Sequence, residues 1–284
     1  MPSLKEIRTK IASVKSTKRI MQAMKMIATV KYAKTQIMLT SFRPYFDAYK
    51  KIVTVVSNSS GDLDNKFLKE DKKAGKSLLV LISSDRGLCG SYNAGLFRLI
   101  EKQDFLQKDV VKLFVGKKGQ DYFKEDSFGE EIFSVDEKNY KAVSENVTNK
   151  FLKPFLDGQF DEVYIAYNKF VSAITQVPTI TKVLPINLEY TKDGSEAVGS
   201  DILIEPDPNL FIETVFPKFL NLTVSSLLLE SVTSEHAART AAMDSATRNA
   251  DEIIKETTML FNKTRQAYIT TELMDIVNGA EAIK

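Results

Sequence analysis

Little in this chain could staple it or hold a metal. Its 284 residues include one cysteine, Cys89, and one histidine, His236. An internal disulfide and a His/Cys zinc cluster are therefore both excluded. No run of about 18 apolar residues occurs, and the opening MPSLKEIRTKIASVK lacks the apolar core of a secretory signal, so any membrane role is expected to be indirect. What is present fits an ordinary folded protein. Hydrophobic residues make up 43% and charged residues 27%, and the length suffices to bury a core without cross-links.

Glycine and proline are absent from two long stretches. Ser3 to Arg43 contains neither, and as one helix it would run roughly 60 Å at about 1.5 Å per residue. A narrow apolar stripe follows helical spacing through Ile7, Ile11, Val14, Met21, Met24, Ala28, Met38 and Phe42. Pro44 is expected to kink or interrupt it. Lys218 to Asn278 is equally free of both residues. Its seam reads Ala246, Ala250, Ile253, Thr257, Leu260, Thr264, Ala267, Thr271 and Met274, alternating steps of four and three. The occupants are small or half-polar, which suits close helix approach more than a stable hydrophobic seam.

Between these arms the pattern changes to short apolar runs. Ser77–Ser83, Val110–Val115 and Glu162–Asn168 read as buried strands, Glu131–Val135 as an edge strand, and Ile180–Leu188 and Ile202–Glu205 as further strands. Asn93–Gln103, Lys118–Lys124 and Tyr140–Leu156 read as helices. The expected fold is α/β: long N- and C-terminal helices paired as an antiparallel coiled coil, with a Rossmann-like parallel-sheet domain between them. The expected boundaries are 1–60, 74–206 and 209–284.

Charge is distributed unevenly beneath a net +2. Residues 1–51 carry twelve Lys/Arg against Glu6 and Asp47, a balance of +10, while 52–217 carry −6 and 218–284 carry −2. Such an arm suits nucleic acid, an anionic membrane surface or an acidic protein partner. A basic coiled-coil nucleic-acid-binding protein is therefore one reading, although sparse Arg and few stacking aromatics in residues 3–31 weigh against it.

Chemistry is hard to find. The turn SSDRGLCGSYNAG (83–95) lies between a strand and a helix, where phosphate loops sit. Its glycines at 87, 90 and 95 match neither G-x-G-x-x-G nor G-x-x-x-x-G-K-[ST]. Cys89 has no histidine near it in sequence, and no nucleophile-elbow or zincin motif occurs. Neither an independent active site, a cofactor nor a metal is expected, and a nucleotide-binding enzyme is the weaker alternative.

Three segments carry a family resemblance. The run Ile269-Thr270-Thr271-Glu272-Leu273-Met274-Asp275-Ile276-Val277-Asn278-Gly279-Ala280-Glu281-Ala282 resembles the gamma-subunit signature of rotary ATP synthases, with Ile269, Thr270, Glu272, Asp275, Gly279 and Ala280 at its defined positions. KEIRTKIASVKSTKRIMQAMKMIATVKYAK resembles that family's opening helix, and SSDRGLCGSYN its central turn. The resemblance implies a non-catalytic, single-copy rotor shaft within a ring of alpha and beta subunits. Its foot meets the epsilon subunit and the membrane c-ring, and nucleic acid has no part. By position it implies beta-subunit contacts at Lys18, Arg19, Met24 and Lys25, at Cys89 in the turn, and at Arg265 and Gln266. With Cys89 alone, no dithiol control is implied. The opening residues and the lack of a transit peptide suggest the cytoplasmic face of a bacterial plasma membrane, with peripheral attachment.

Overall fold

A computed structural model describes residues 3–59, 67–68, 75–103, 109–124, 127–129, 131–186 and 208–281. The expected strand at 202–205 and the loop at 193–200 lie outside them. In chain order the elements are α1 (Leu4–Ser59), β1 (Ser77–Ile82), α2 (Tyr92–Glu101), β2 (Val110–Val115), α3 (Lys117–Tyr122), α4 (Tyr140–Leu156), β3 (Glu162–Phe170), β4 (Gln176–Leu184) and α5 (Pro208–Glu281). Contacts divide the chain into two compact units, one of residues 1–27 with 240–284 and one of residues 28–239.

The first unit is a pair of helices. A reciprocal cap starts α1: the Ser3 N–H donates to Glu6 Oε2 at 2.9 Å, and the Glu6 N–H donates to Ser3 Oγ at 3.2 Å. The less exposed residues of α1 here are Ile7, Ile11, Val14, Lys18, Met21 and Lys25, in steps of four and three. On α5 they are Met243, Thr247, Ala250, Ile254, Thr257, Phe261 and Thr264. Lys18 Nζ lies 2.5 Å from Asp251 Oδ1, and Lys25 pairs with Asp244. Numbers rise on one helix as they fall on the other, so the pair is antiparallel.

The seam on α5 differs in phase from the sequence expectation. Ala250, Thr257 and Thr264 lie inward as expected, but Ile254 and Phe261 face inward in place of Ile253 and Leu260, which are exposed. The expected seam residues Ala267, Thr271 and Met274 are also exposed. Two heptads beyond the Lys18–Asp251 level lie Leu4 on α1 and Arg265 on α5. Past Arg265 α5 has no residue of α1 opposite it.

The second unit is built on a four-stranded sheet in the order β2-β1-β3-β4. Strands β2, β1 and β3 are parallel, whereas β4 runs antiparallel to β3. The expected parallel sheet is thus present in three strands, with β4 added antiparallel at its edge. Five residues, 171–175, separate β3 from β4, too few for a crossover helix, so the chain turns back as a hairpin. The expected edge strand at 131–135 contracts to one bridge between Phe133 and Val115. The chain leaves the sheet edge for a turn in which Asp136 Oδ1 accepts the N–H groups of Lys138 and Asn139.

Alternation along β1 gives the sheet two cores. Leu78, Val80 and Ile82 join Val147 and Phe151 of α4 and Phe216, Leu220 and Val224 of α5. Leu79 and Leu81 join Leu96, Phe97 and Ile100 of α2 on the other side. Pro44, expected to kink or interrupt the first helix, does not end it, and α5 likewise continues through a proline. Pro44 lies inside α1 and Pro217 inside α5. Aromatic packing flanks both: the Phe46 and Phe219 rings stack at 6.0 Å with an interplanar angle of 5°. Burial of such side chains offsets the roughly 3 kcal/mol that an internal proline costs. An 18-residue window of α5 reaches a mean hydropathy of 1.2, but 67% of it is buried within the protein, so its apolar character serves the core.

Candidate partner-contact site

On the helix pair, Arg19 and Met24 are exposed, Met24 to 38%. Lys18 and Lys25, by contrast, take seam positions and are engaged by the chain's own Asp251 and Asp244. Asp244 also lies 2.5 Å from Arg248 Nη2, and the Lys25 hydrogen bond holds its carboxyl below the usual carboxylate range. The four side chains therefore separate into a pair open to solvent and a half-exposed pair engaged by the opposite helix.

Farther along α5, Arg265 and Gln266 are exposed, as are Ile269, Thr270, Glu272, Asp275, Gly279 and Ala280 of the signature. The hydroxyls of Thr270 and Thr271 donate back to the carbonyls of Gln266 and Ala267 at 2.9 and 3.0 Å. Polar side chains are thus turned onto the helix, while Ile269, Leu273, Ile276 and Val277 stay open to solvent. Contiguous exposed apolar residues of this kind mark an interaction surface.

The central turn follows β1 and opens α2. Leu88 occupies it with φ 65° and a side chain 60% exposed. Cys89 points the other way and is 2% exposed, against Tyr92 and Ala238. Burial pushes its thiol above the ordinary value. The side-chain amide of Asn93 donates to Ser84 Oγ at 2.7 Å and to Cys89 Sγ at 3.5 Å. The Ser84 N–H donates to Asn93 Oδ1, and the Tyr92 N–H to the Cys89 carbonyl. Two backbone N–H groups of the turn and the Asn93 amide are thus occupied within the turn itself. Cys89 is a structural member of the turn, and its thiol does not reach a contact surface.

Side chains that the sequence did not single out fasten this turn to α5. Arg239 Nη2 donates to the carbonyls of Arg86 and Gly87 at 3.1 and 3.3 Å, and its Nη1 lies 2.7 Å from Glu235 Oε1. Burial raises the Glu235 pKa. The Tyr92 hydroxyl donates to the Ser231 carbonyl at 3.1 Å. Asn168 donates from its amide to the Tyr92 carbonyl, and the Ser234 hydroxyl donates to the Asn168 carbonyl. The spacing of Glu235 and Arg239 announces a helical ion pair, but nothing local announces its distant carbonyl targets. Beneath the turn, Gly116 (φ 92°) has no room for a Cβ, which would fall 2.2 Å from the Ser83 carbonyl oxygen. That close approach brings the end of β2 against the start of the turn.

His236 is buried nearby on α5, and burial, with Arg239 and Lys31 adding to it, lowers its pKa to about 4. Among the described residues no group of three or more His, Cys, Asp or Glu side chains could hold a metal ion. The arrangement is a helix pair with charged and apolar side chains facing outward, and a turn fastened by hydrogen bonds to α5.

Whole-chain comparisons agree with this reading. A family model described as ATP synthase matches residues 3–283. The chain is 37% identical over 295 residues to the ATP synthase gamma chain of Bdellovibrio bacteriovorus and 39% identical over 294 residues to that of Glaesserella parasuis, covering all of each protein. Among solved structures it resembles a chain of the Euglena gracilis mitochondrial ATP synthase OSCP/F1/c-ring assembly, with TM-score 0.68, 22% identity, and coverage of 99% of this chain and 94% of that one. It also resembles a chain of the Tetrahymena thermophila mitochondrial ATP synthase central stalk and c-ring, with TM-score 0.58, 26% identity, and coverage of 80% and 99%. With full-length identity well above 30% and a family model spanning nearly every residue, the chain belongs to the ATP synthase gamma chain family.

Proposed function

We infer that this chain is the central rotor shaft of a proton- or sodium-translocating ATP synthase, coupling rotation of the c-ring to sequential conformational change in the catalytic beta subunits. The observation that carries this reading is identity to bacterial gamma chains along the whole length of both proteins. The chain is a non-catalytic, single-copy subunit. Its partners are the alpha and beta subunits of the ring, the epsilon subunit and the c-ring, and its attachment to the membrane is peripheral. The nucleic-acid reading finds no support among the relatives.

A shaft of this kind works by asymmetry. One helix pair inside a three-fold ring makes different contacts with each beta subunit, so turning it biases their open and closed populations in order. Exposed ion pairs worth roughly 0–1 kcal/mol each can be exchanged at every step without trapping the rotor. Arg19 and Met24 meet the acidic lever region of beta, with Lys18 and Lys25 held beside them by Asp251 and Asp244, and Arg265 with Gln266 meets a beta loop farther along α5. Cys89 acts through its turn, whose exposed Arg86 and Leu88 make the contact. The complex sits at the cytoplasmic face of a bacterial plasma membrane, as expected of a chain related to bacterial gamma subunits. Purification of a tagged chain from its own cells tests the reading: one copy should emerge with three alpha and three beta chains, and emergence alone or with nucleic acid would refute it.

A further inference from the structure

Lys18 and Lys25 stand one heptad apart in the α1 seam, and Asp244 and Asp251 stand one heptad apart on the antiparallel α5. Only one alignment of the two helices satisfies both pairs. A slip of one heptad leaves a single Lys–Asp pair, either Lys18 with Asp244 or Lys25 with Asp251, and a slip of half a heptad leaves neither. One row of the α5 seam, Ala250, Thr257 and Thr264, is small and discriminates weakly between neighbouring registers, so alignment rests on Met243, Ile254, Phe261 and the two ion pairs. We propose that the two ion pairs form a register clasp, making Lys18, Lys25, Asp244 and Asp251 positioning residues that set the axial alignment of the helix pair, rather than cations kept free for an acidic partner.

Three observations support the clasp. Both lysines fall on the seam's own four-three spacing, at its half-exposed margin, with Lys18 and Lys25 side chains 25% and 41% exposed, and polar groups along a helix seam specify coiled-coil register at some expense of stability. Both pairs join the same two helices seven residues apart, which two chance surface pairs would not do. Asp244 is held from both sides, by Lys25 across the pair and by Arg248 one turn along α5, so its carboxylate has a fixed place to receive the lysine. The consequence for coupling rests on the rotor reading above, because register sets which residues of α1 and α5 share a level on the shaft. The register itself does not depend on that reading.

The test separates the two. In full-length chain carrying Cys89→Ser, spin labels at the exposed positions Arg8 and Met259 report axial register by pulsed electron resonance. The parent should give one narrow distance. Lys18→Glu with Lys25→Glu should broaden it or shift it by a few ångströms, because a slip of one heptad moves the helices about 10 Å along the axis while the two labels start near one level, and adding Asp244→Lys and Asp251→Lys should restore it. In the reassembled synthase, ions pumped per ATP should fall by about half or more in the double variant and return in the fourfold one. If the double variant is too unstable to study, Lys18→Gln with Lys25→Gln should still broaden the distance. An unchanged distance in either lysine variant, or failure of the swap to restore it, overturns the clasp. A restored distance without restored pumping upholds the clasp and counts against the rotor reading of its role.

Discussion

Arg239 neutralises a carboxylate that the fold has buried and, with the same guanidinium, ties down two carbonyls of the central turn. Arg239→Ala therefore leaves Glu235 buried and unpaired, which should cost about 3 kcal/mol in urea unfolding of the free subunit. It should also expose Cys89, whose alkylation under native conditions should accelerate by about tenfold or more as the turn opens. Unchanged thiol protection would show that the turn is held by Tyr92 and Asn168 instead. His236 gives a pH dependence with a definite sign. Its folded-state pKa of about 4 lies below the ordinary 6.5, so its contribution is complete above pH 6.5 and is lost as pH falls toward 4. Across that window stability should drop by about 1.4 kcal/mol per pH unit for this one group. Glu235, with its pKa raised by burial, acts in the opposite sense: its share is present at low pH and is lost as pH rises through the raised value. The parent compared with His236→Gln isolates the histidine, and parallel stability profiles between pH 7.5 and 5 would contradict the assignment.

The two long helices are held by thin seams, and their phase decides which side chains remain for partners. Ile254 faces inward while Ile253 is 42% exposed. In the free subunit Ile254→Ala should cost about 1–2 kcal/mol and Ile253→Ala no more than about 0.5 kcal/mol. Equal losses by chemical denaturation would mean that the helices pair in the other phase. Adjacent isoleucines explain why the sequence left this open, since either residue continues a step from Ala250. The same ambiguity affects Leu260 and Phe261. Pro44 failed as an interruption signal for a different reason: its helix-breaking tendency is local, whereas the stacking of the half-buried Phe46 on the buried Phe219 is a contact that no local window contains. Where burial and local preference agreed, as in Val110–Val115 and Tyr140–Leu156, the elements were legible to the residue.

For the molecule as a whole, the sequence revealed helix, α/β domain and helix in order, the antiparallel pairing and the absence of phosphate-loop spacing, because all of these follow from periodicity and spacing. The reversal of β4 and the fastening of the turn by Arg239 were not legible, since both depend on where distant segments meet. Lys18 and Lys25 show the same limit: the resemblance implied beta contacts for them, and their engagement by Asp251 and Asp244 on the opposing helix is not readable from local sequence. The most direct measurement of the central claim is single-molecule rotation. With the chain assembled into an immobilised alpha–beta ring and a bead fixed to the exposed β3–β4 turn at Ile174, ATP should drive the bead in one direction with three dwell positions per revolution. A ring that hydrolyses ATP at the full rate while the bead stays still, or an isolated chain that hydrolyses ATP by itself, would contradict the account.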